Sequence, residues 1–254
     1  MGVKGKWARI WIDTLEATAR TASLELATEV AMVDATALEE PNRTMISIGY
    51  ESRLGVDGYL ENIADNAGGL DRSFSRRFGV DNLSGVDVYA AAMFAEDAIN
   101  EQGMPCYILP ITYIDDLKTS TPLDNVMTIN GEFFSGRGGL RRGLLVHNAA
   151  VATTGIKATI QFPSAAAGGG QAFLFVPSVT GITGTAIITV ASSATNNGTF
   201  VNHATFNFTN ISSQMATMAG PVNQWIRVSV SDMGGASAIR FALMVCLNGV
   251  TQPA

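Results

Sequence analysis

Apolar and polar residues alternate with period two along much of the chain, most clearly over residues 44–61, TMISIGYESRLGVDGYLE. Ile46, Ile48, Tyr50, Leu54, Val56 and Leu60 share one face, while Ser47, Glu51, Arg53, Asp57 and Glu61 share the other, with Ser52 and Gly58 as exceptions. Successive side chains of a strand point to opposite sides of its sheet, so the run predicts one face on a core and one in water. As one strand it would reach roughly 60 Å at about 3.3 Å per residue, a length that suggests a long, bent strand in a shared sheet. Gly49, Gly55 and Gly58 are the positions where bulges would otherwise break it.

The same reading predicts strands at 6–13, 22–34, 86–94, 105–114 and 124–134. Seven more follow, in GLLVHNAA, GIKATIQF, QAFLFVPSV, TAIITVASS, GTFVNHATFNF, NQWIRVSVS and AIRFALMVCL. Regular spacing between Gly, Ser and Asn turns is the mark of a sandwich or barrel. Short helices are expected at 60–67 and 95–102, each stopped by glycine, with long loops at 35–44 and 68–82 and a flexible hairpin loop at 165–170, AAAGGG. The fold class expected is all-β with one or two short helices.

Charge divides the chain. Residues 1–148 hold 13 basic and 21 acidic side chains, net −8, whereas 149–254 hold only Lys157, Arg227, Arg240 and Asp232, net +2. A soluble domain commonly has about a quarter of its residues charged, so the second half must be solvated by Ser, Thr, Asn and Gln or covered by neighbours. This break predicts domains at 1–147 and 148–254. Neither half has the clustered Lys and Arg that phosphate affinity demands, so tight nucleic-acid binding is disfavoured. No run of 18 apolar residues exists, and the polar start MGVKGKWARIWID resembles neither a signal peptide nor a spanning helix, which predicts a soluble, unsecreted chain.

Catalytic chemistry is hard to place. The chain has no GxSxG, HExxH, Walker or CxxC motif, Cys106 and Cys246 lie 140 residues apart, and His147 and His203 are isolated within strand patterns. No enzyme, metal site or cofactor is expected. In GGLDRSFSRRFG (68–79), Arg72, Arg76 and Arg77 interleave with Phe74 and Phe78. That pattern suits stacking on single-stranded bases, but more simply an arm that docks on a neighbouring subunit. SGRGGLRRG (135–143) reads as a Gly-rich turn rather than an RGG segment, and the Asn-x-Ser/Thr matches at Asn197, Asn207 and Asn210 as chance in a Thr- and Asn-rich sequence.

Taken in order, KGKWARIWIDTLEATARTASLEL, TMISIGYESRLGVDGYLEN, PCYILPITYIDDL and TPLDNVMTINGEFFSGRGGLRRGLLVH resemble the tail tube proteins of long, non-contractile-tailed bacteriophages. The resemblance implies a β-sandwich that assembles into stacked rings, usually of six, whose inner strands form one barrel around a lumen for viral DNA. The second half, from GLLVHNAA to FALMVCLNGV, is similar to the C-terminal β-sandwich extension many such proteins carry. Implied partners are further copies of the chain, a tape measure protein and tail terminator or tip proteins. The implied location is the virion, after assembly in the host cytoplasm, without a membrane. An acidic lumen wall would keep DNA from adhering; its candidates are Glu25, Glu51, Asp57 and Glu61, with Arg53 on the same face. The other reading of the residues is a capsid or tail decoration, or a carbohydrate-binding sandwich module using aromatics such as Trp225.

Overall fold

The computed structural model describes residues 8–16, 21–34, 45–59, 89–94, 101–110, 112–120, 128–135 and 139–250. In these residues all regular structure is strand: β1 (Ala8–Ile12), β2 (Leu15–Glu16), β3 (Thr21–Asp34), β4 (Met45–Tyr59), β5 (Ala90–Phe94), β6 (Pro105–Leu109), β7 (Thr112–Ser120), β8 (Thr128–Ser135), β9 (Arg141–Val151), β10 (Gly155–Gln161), β11 (Gly170–Thr180), β12 (Ala186–Ser193), β13 (Val201–Phe208), β14 (Ser212–Met218), β15 (Trp225–Met233) and β16 (Ala238–Leu247). The all-β class is as expected. Residues 60–67, 35–44 and 68–82, and all but the end of 95–102, lie outside the described residues.

Two compact units divide the chain. The first comprises Met1–Ala19, Tyr89–Ile108 and Arg141–Ala254; the second comprises Arg20–Val88 and Leu109–Leu140. This division does not follow the charge break at 147. Position 147 falls inside β9, in the interior of an antiparallel sheet ordered β14-β11-β16-β9-β6-β5-β1-β2. Four strands from the first half thus complete a sheet begun by the second. Charge density reports solvation and not strand pairing; β5 and β6 carry no charge and β1 and β2 one each, so composition could not see the join.

In the first unit this eight-stranded sheet packs on a four-stranded sheet ordered β10-β15-β12-β13. Leu144, Val146, Leu174, Ile188, Phe206, Val228, Phe241 and Leu243 belong to the core between them. The alternate positions of the same strands are buried as well: Phe173 and Phe175 on β11, Ala242, Met244 and Cys246 on β16, Leu145 on β9. Strands covered on both faces read as continuous apolar runs, which is why FALMVCL lacks alternation. The second cover comes from the sheet itself, which curls until its ends meet. β2 lies against β11, Tyr89 packs edge-on against Phe173 at 5.8 Å, and Ser213 Oγ donates to Asp13 Oδ1 at 2.7 Å. Asp13 turns the β1–β2 hairpin at φ 53°, a conformation Asp tolerates better than most residues.

The second unit is an antiparallel sheet ordered β3-β4-β8-β7. β4 is one 15-residue strand paired with β3 over nearly its whole length. Gly49 and Gly58 stand beside the two register shifts of that pair and Gly55 beside neither, so the glycines accommodate bulges without breaking the strand. The predicted strand 105–114 is two: β6 joins the first unit's sheet and β7 the second's, separated at Pro110, which has no N–H for a ladder. β2 and β14 were not anticipated, being respectively two residues long and weakly patterned. Residues 165–170 do not close a hairpin, because β10 and β11 lie in different sheets. Ala166 is buried and bridges Val222.

Candidate functional site

The site expected on residues 44–61 falls on the second unit's sheet. Ser52, Leu54 and Val56 of β4 are buried, while Arg53, Gly55 and Asp57 between them are half-buried, so the predicted two-faced strand is present where side chains are described. Pairing carries this parity to the neighbours. Leu26 of β3 and Phe133 of β8 stand opposite Leu54, whereas Glu25 and Glu132 stand opposite Gly55. Glu25 is exposed and Glu132 half-buried.

Glu25, Ala27, Arg53, Gly55 and Glu132 line an open depression on this face. Gly55 provides its floor, and a methyl group there would meet Glu25 Cβ at an ordinary 3.7 Å, so glycine is not demanded by sterics. Arg53 lies over the Phe134 ring, 5.0 Å from its centroid, a cation–π contact that places the cation along the sheet. Asp57 pairs with Asn130 across the ladder. Sequence reasoning missed Glu132 and Phe134 on this face because the alternation of TINGEFF is interrupted by Gly131.

Of the other expected residues, Glu51 sits on β4 opposite Glu29 in the register. Glu61 and the arm residues Arg72, Phe74, Arg76, Arg77 and Phe78 lie outside the described residues.

The first unit holds the groups that most resemble chemistry. His203 is not isolated: its Nε2 lies 2.8 Å from Ser192 Oγ. Ser192 is fully buried, and its oxygen accepts the Asn223 N–H at 2.9 Å, so the pair ties β12, β13 and the 223 turn together with no access for a substrate. His147 is 4% exposed and lies against Phe241, ring centroids 4.3 Å apart. Burial lowers its pKa below the usual 6.5; the Ala149 backbone opposes this and the Lys157 charge adds to it. Neither ring nitrogen has a partner in hydrogen-bonding geometry.

Cys106 and Cys246 converge on Gly143, Cys106 as its ladder partner and Cys246 through the close approach of its sulfur. Both are free thiols. Strands two apart in a sheet place Cα atoms about 9.5 Å apart, too far for a disulfide. Burial pushes Cys106 well above the ordinary thiol range and Cys246 to about 12, so both remain protonated and inert. Among the described residues no group of three His, Cys, Asp or Glu side chains is placed to hold a metal.

No protein-family model matches the chain, and no curated protein matches it. Among solved structures, a chain of "Virion of native gene transfer agent (GTA) particle" aligns at a TM-score of 0.36 and 16% identity, over 55% of this chain and 97% of that one. A chain of the anti-feeding prophage (AFP) baseplate, 6-fold symmetrised, aligns at 0.33 and 11%, over 53% of this chain and 89% of that one. Likenesses of this size carry no conclusion about function.

Proposed function

We propose that this chain is a structural virion protein, a subunit of a phage tail that polymerises as stacked rings of six, its β3-β4-β8-β7 sheet lining a channel for the genome. The observation that carries the reading is the two-faced sheet. One face buries Leu54, Val56 and Phe133, and the other carries Arg53 and Asp57 on the 15-residue β4 with Glu25 and Glu132 on the strands beside it. β3 and β7 are its end strands, the positions at which a neighbouring copy would extend it. A wall carrying three carboxylates to one guanidinium on these positions repels phosphates without excluding their passage. The sequence resemblance supplies the ring, the tape measure and the terminator or tip partners.

Negative-stain microscopy of the purified full chain tests this. Rings or tubes of uniform diameter are expected; a chain that stays unassembled at every concentration and salt overturns it.

A second reading, a decoration or carbohydrate-binding module, is favoured by one feature of the first unit. Arg227 is stacked 3.5 Å from the Phe200 centroid beside half-buried Trp225. Retention on neutral polysaccharide by an unassembled chain would favour it.

A further inference from the structure

An asparagine followed by glycine can react with its own backbone, because a neighbour without a side chain lets its main-chain nitrogen reach the asparagine carboxamide. The chain has three such pairs, Asn130-Gly131, Asn197-Gly198 and Asn248-Gly249. The fold sets them apart. Gly131 is buried within β8 and pairs with Val56 of β4 on one side and Leu117 of β7 on the other, so two ladders hold its backbone extended. Asn248 donates from Nδ2 to the Gly168 carbonyl at 2.8 Å and from its main-chain N–H to the Gly169 carbonyl at 3.0 Å, which fixes its carboxamide in place. Asn197 is exposed in the turn that joins β12 to β13, and among the described residues its carboxamide has no partner. Gly198 is demanded by its surroundings, since a methyl group on it would stand 2.5 Å from Ser193 Oγ and 2.7 Å from Thr195 Oγ1. Its N–H is tied to the Thr195 carbonyl at 3.2 Å, the long end of the hydrogen-bonding range.

We infer that Asn197 is a self-modification site, at which the Gly198 main-chain nitrogen displaces ammonia from the Asn197 carboxamide and water then leaves aspartate or isoaspartate in the turn. In the first step base removes the Gly198 N–H proton, the nitrogen bonds to Asn197 Cγ, and the Cγ–Nδ2 bond breaks, the amide taking up a proton and leaving as ammonia. In the second, water adds to one of the two carbonyls of the cyclic imide. Opening at Cγ restores the main chain with an aspartate; opening at the main-chain carbonyl routes the chain through Cγ and gives isoaspartate. Each converted chain has taken up one water and released one ammonia, with no oxidant or reductant. The turn favours the new charge. Arg227 Nη2 donates to the Asn196 carbonyl at 3.3 Å and its guanidinium lies 3.5 Å from the Phe200 centroid, so it borders the turn at both ends. Among the described residues Arg227 has no carboxylate partner. A carboxylate at 197 arises one residue from the carbonyl Arg227 already holds, inside the roughly 10 Å over which charges act at moderate salt. Residues 149–254, whose one carboxylate is Asp232, thereby gain a second. This site does not depend on the ring reading above.

The full chain, incubated at pH 8 and followed by peptide mapping with mass spectrometry, tests it. The peptide holding Asn197 is expected to convert from amide to acid in two isomeric forms, more slowly at pH 6, while Asn130 and Asn248 stay amides. In urea all three are expected to convert, because the ladders and the Gly168 and Gly169 contacts are gone. On ion exchange the converted native protein should run with the variant Asn197→Asp, and Asn197→Gln should lose the acidic species, since its longer side chain closes the ring poorly. Asn197 remaining an amide in the native chain overturns the proposal, as does an acidic species that persists in Asn197→Gln. Conversion of Asn130 or Asn248 in step with Asn197 in the native chain, or their failure to convert in urea, shows that the fold does not select the site and overturns it equally.

Discussion

Glu16 and Arg240, 224 positions apart, form an ion pair at 2.7 Å. Glu16 also receives Arg9 at 3.0 Å, and Arg9 in turn meets Glu101 at 2.6 Å, where Asn148 Nδ2 donates as well. Two carboxylates and two guanidiniums from three strands and a turn thus close the curled sheet with their charges balanced. The carboxylates are largely covered, whereas each Arg side chain is about a third exposed, 34% and 35%.

Glu16→Ala leaves two arginines short of a partner in a partly buried setting, and a loss of about 1–3 kcal/mol is expected. Urea unfolding measures it. Arg240→Ala in the same background should cost less than it does alone, because the partner is already gone.

Stability should fall on acidification through His147. Its folded pKa is below that of the unfolded chain, so the unfolded state takes up the proton first. The contribution is complete above pH 6.5 and is lost as pH falls from there through the lowered folded value. His147→Leu should flatten the fall in melting temperature between pH 7 and 5.

Gly143→Ala is expected to destabilise by about 1–3 kcal/mol through overpacking, since the added methyl would stand 2.7 Å from Cys246 Sγ and press on the Val245 carbonyl. Chemical denaturation reads the loss. In the parent, neither Cys106 nor Cys246 should react with an aromatic disulfide reagent at pH 8 until the chain unfolds.

On the proposed channel reading, Glu25→Lys with Glu132→Lys converts the open face from acidic to basic. Assembled particles should then retain DNA at low salt and release it as salt rises, while parent particles retain none. Equal behaviour of the two would place this face outside the channel.

Much of the strand content was legible because half-buried strands advertise themselves by alternation, as Leu54 and Val56 do against Arg53 and Asp57. β14 was not, because SSQMATM is a covered edge without a clear period. The unit boundary was hidden for a different reason. His147 lies in a sheet whose other strands come from residues far apart, and no local pattern encodes which distant strand will lie beside it. The same holds for Glu132, whose place beside Glu25 depends on two ladders meeting at Gly55.

Each of the four charges of residues 149–254 has a partner. Arg240 holds Glu16, Arg227 holds Phe200, Lys157 holds Thr153 and Asp232 caps Gly234.

β16 runs through the middle of its sheet, with β11 on one side and β9 on the other, although it follows both in the chain. Until the ribosome has passed Leu247, neither half of that sheet has its central seam, so the Arg9 and Arg240 closure and both hydrophobic layers wait together. A polypeptide interrupted upstream of β16 therefore lacks the ladders to β9 and β11 and the Arg240–Glu16 pair together, so the first unit's larger sheet is left as two separate halves.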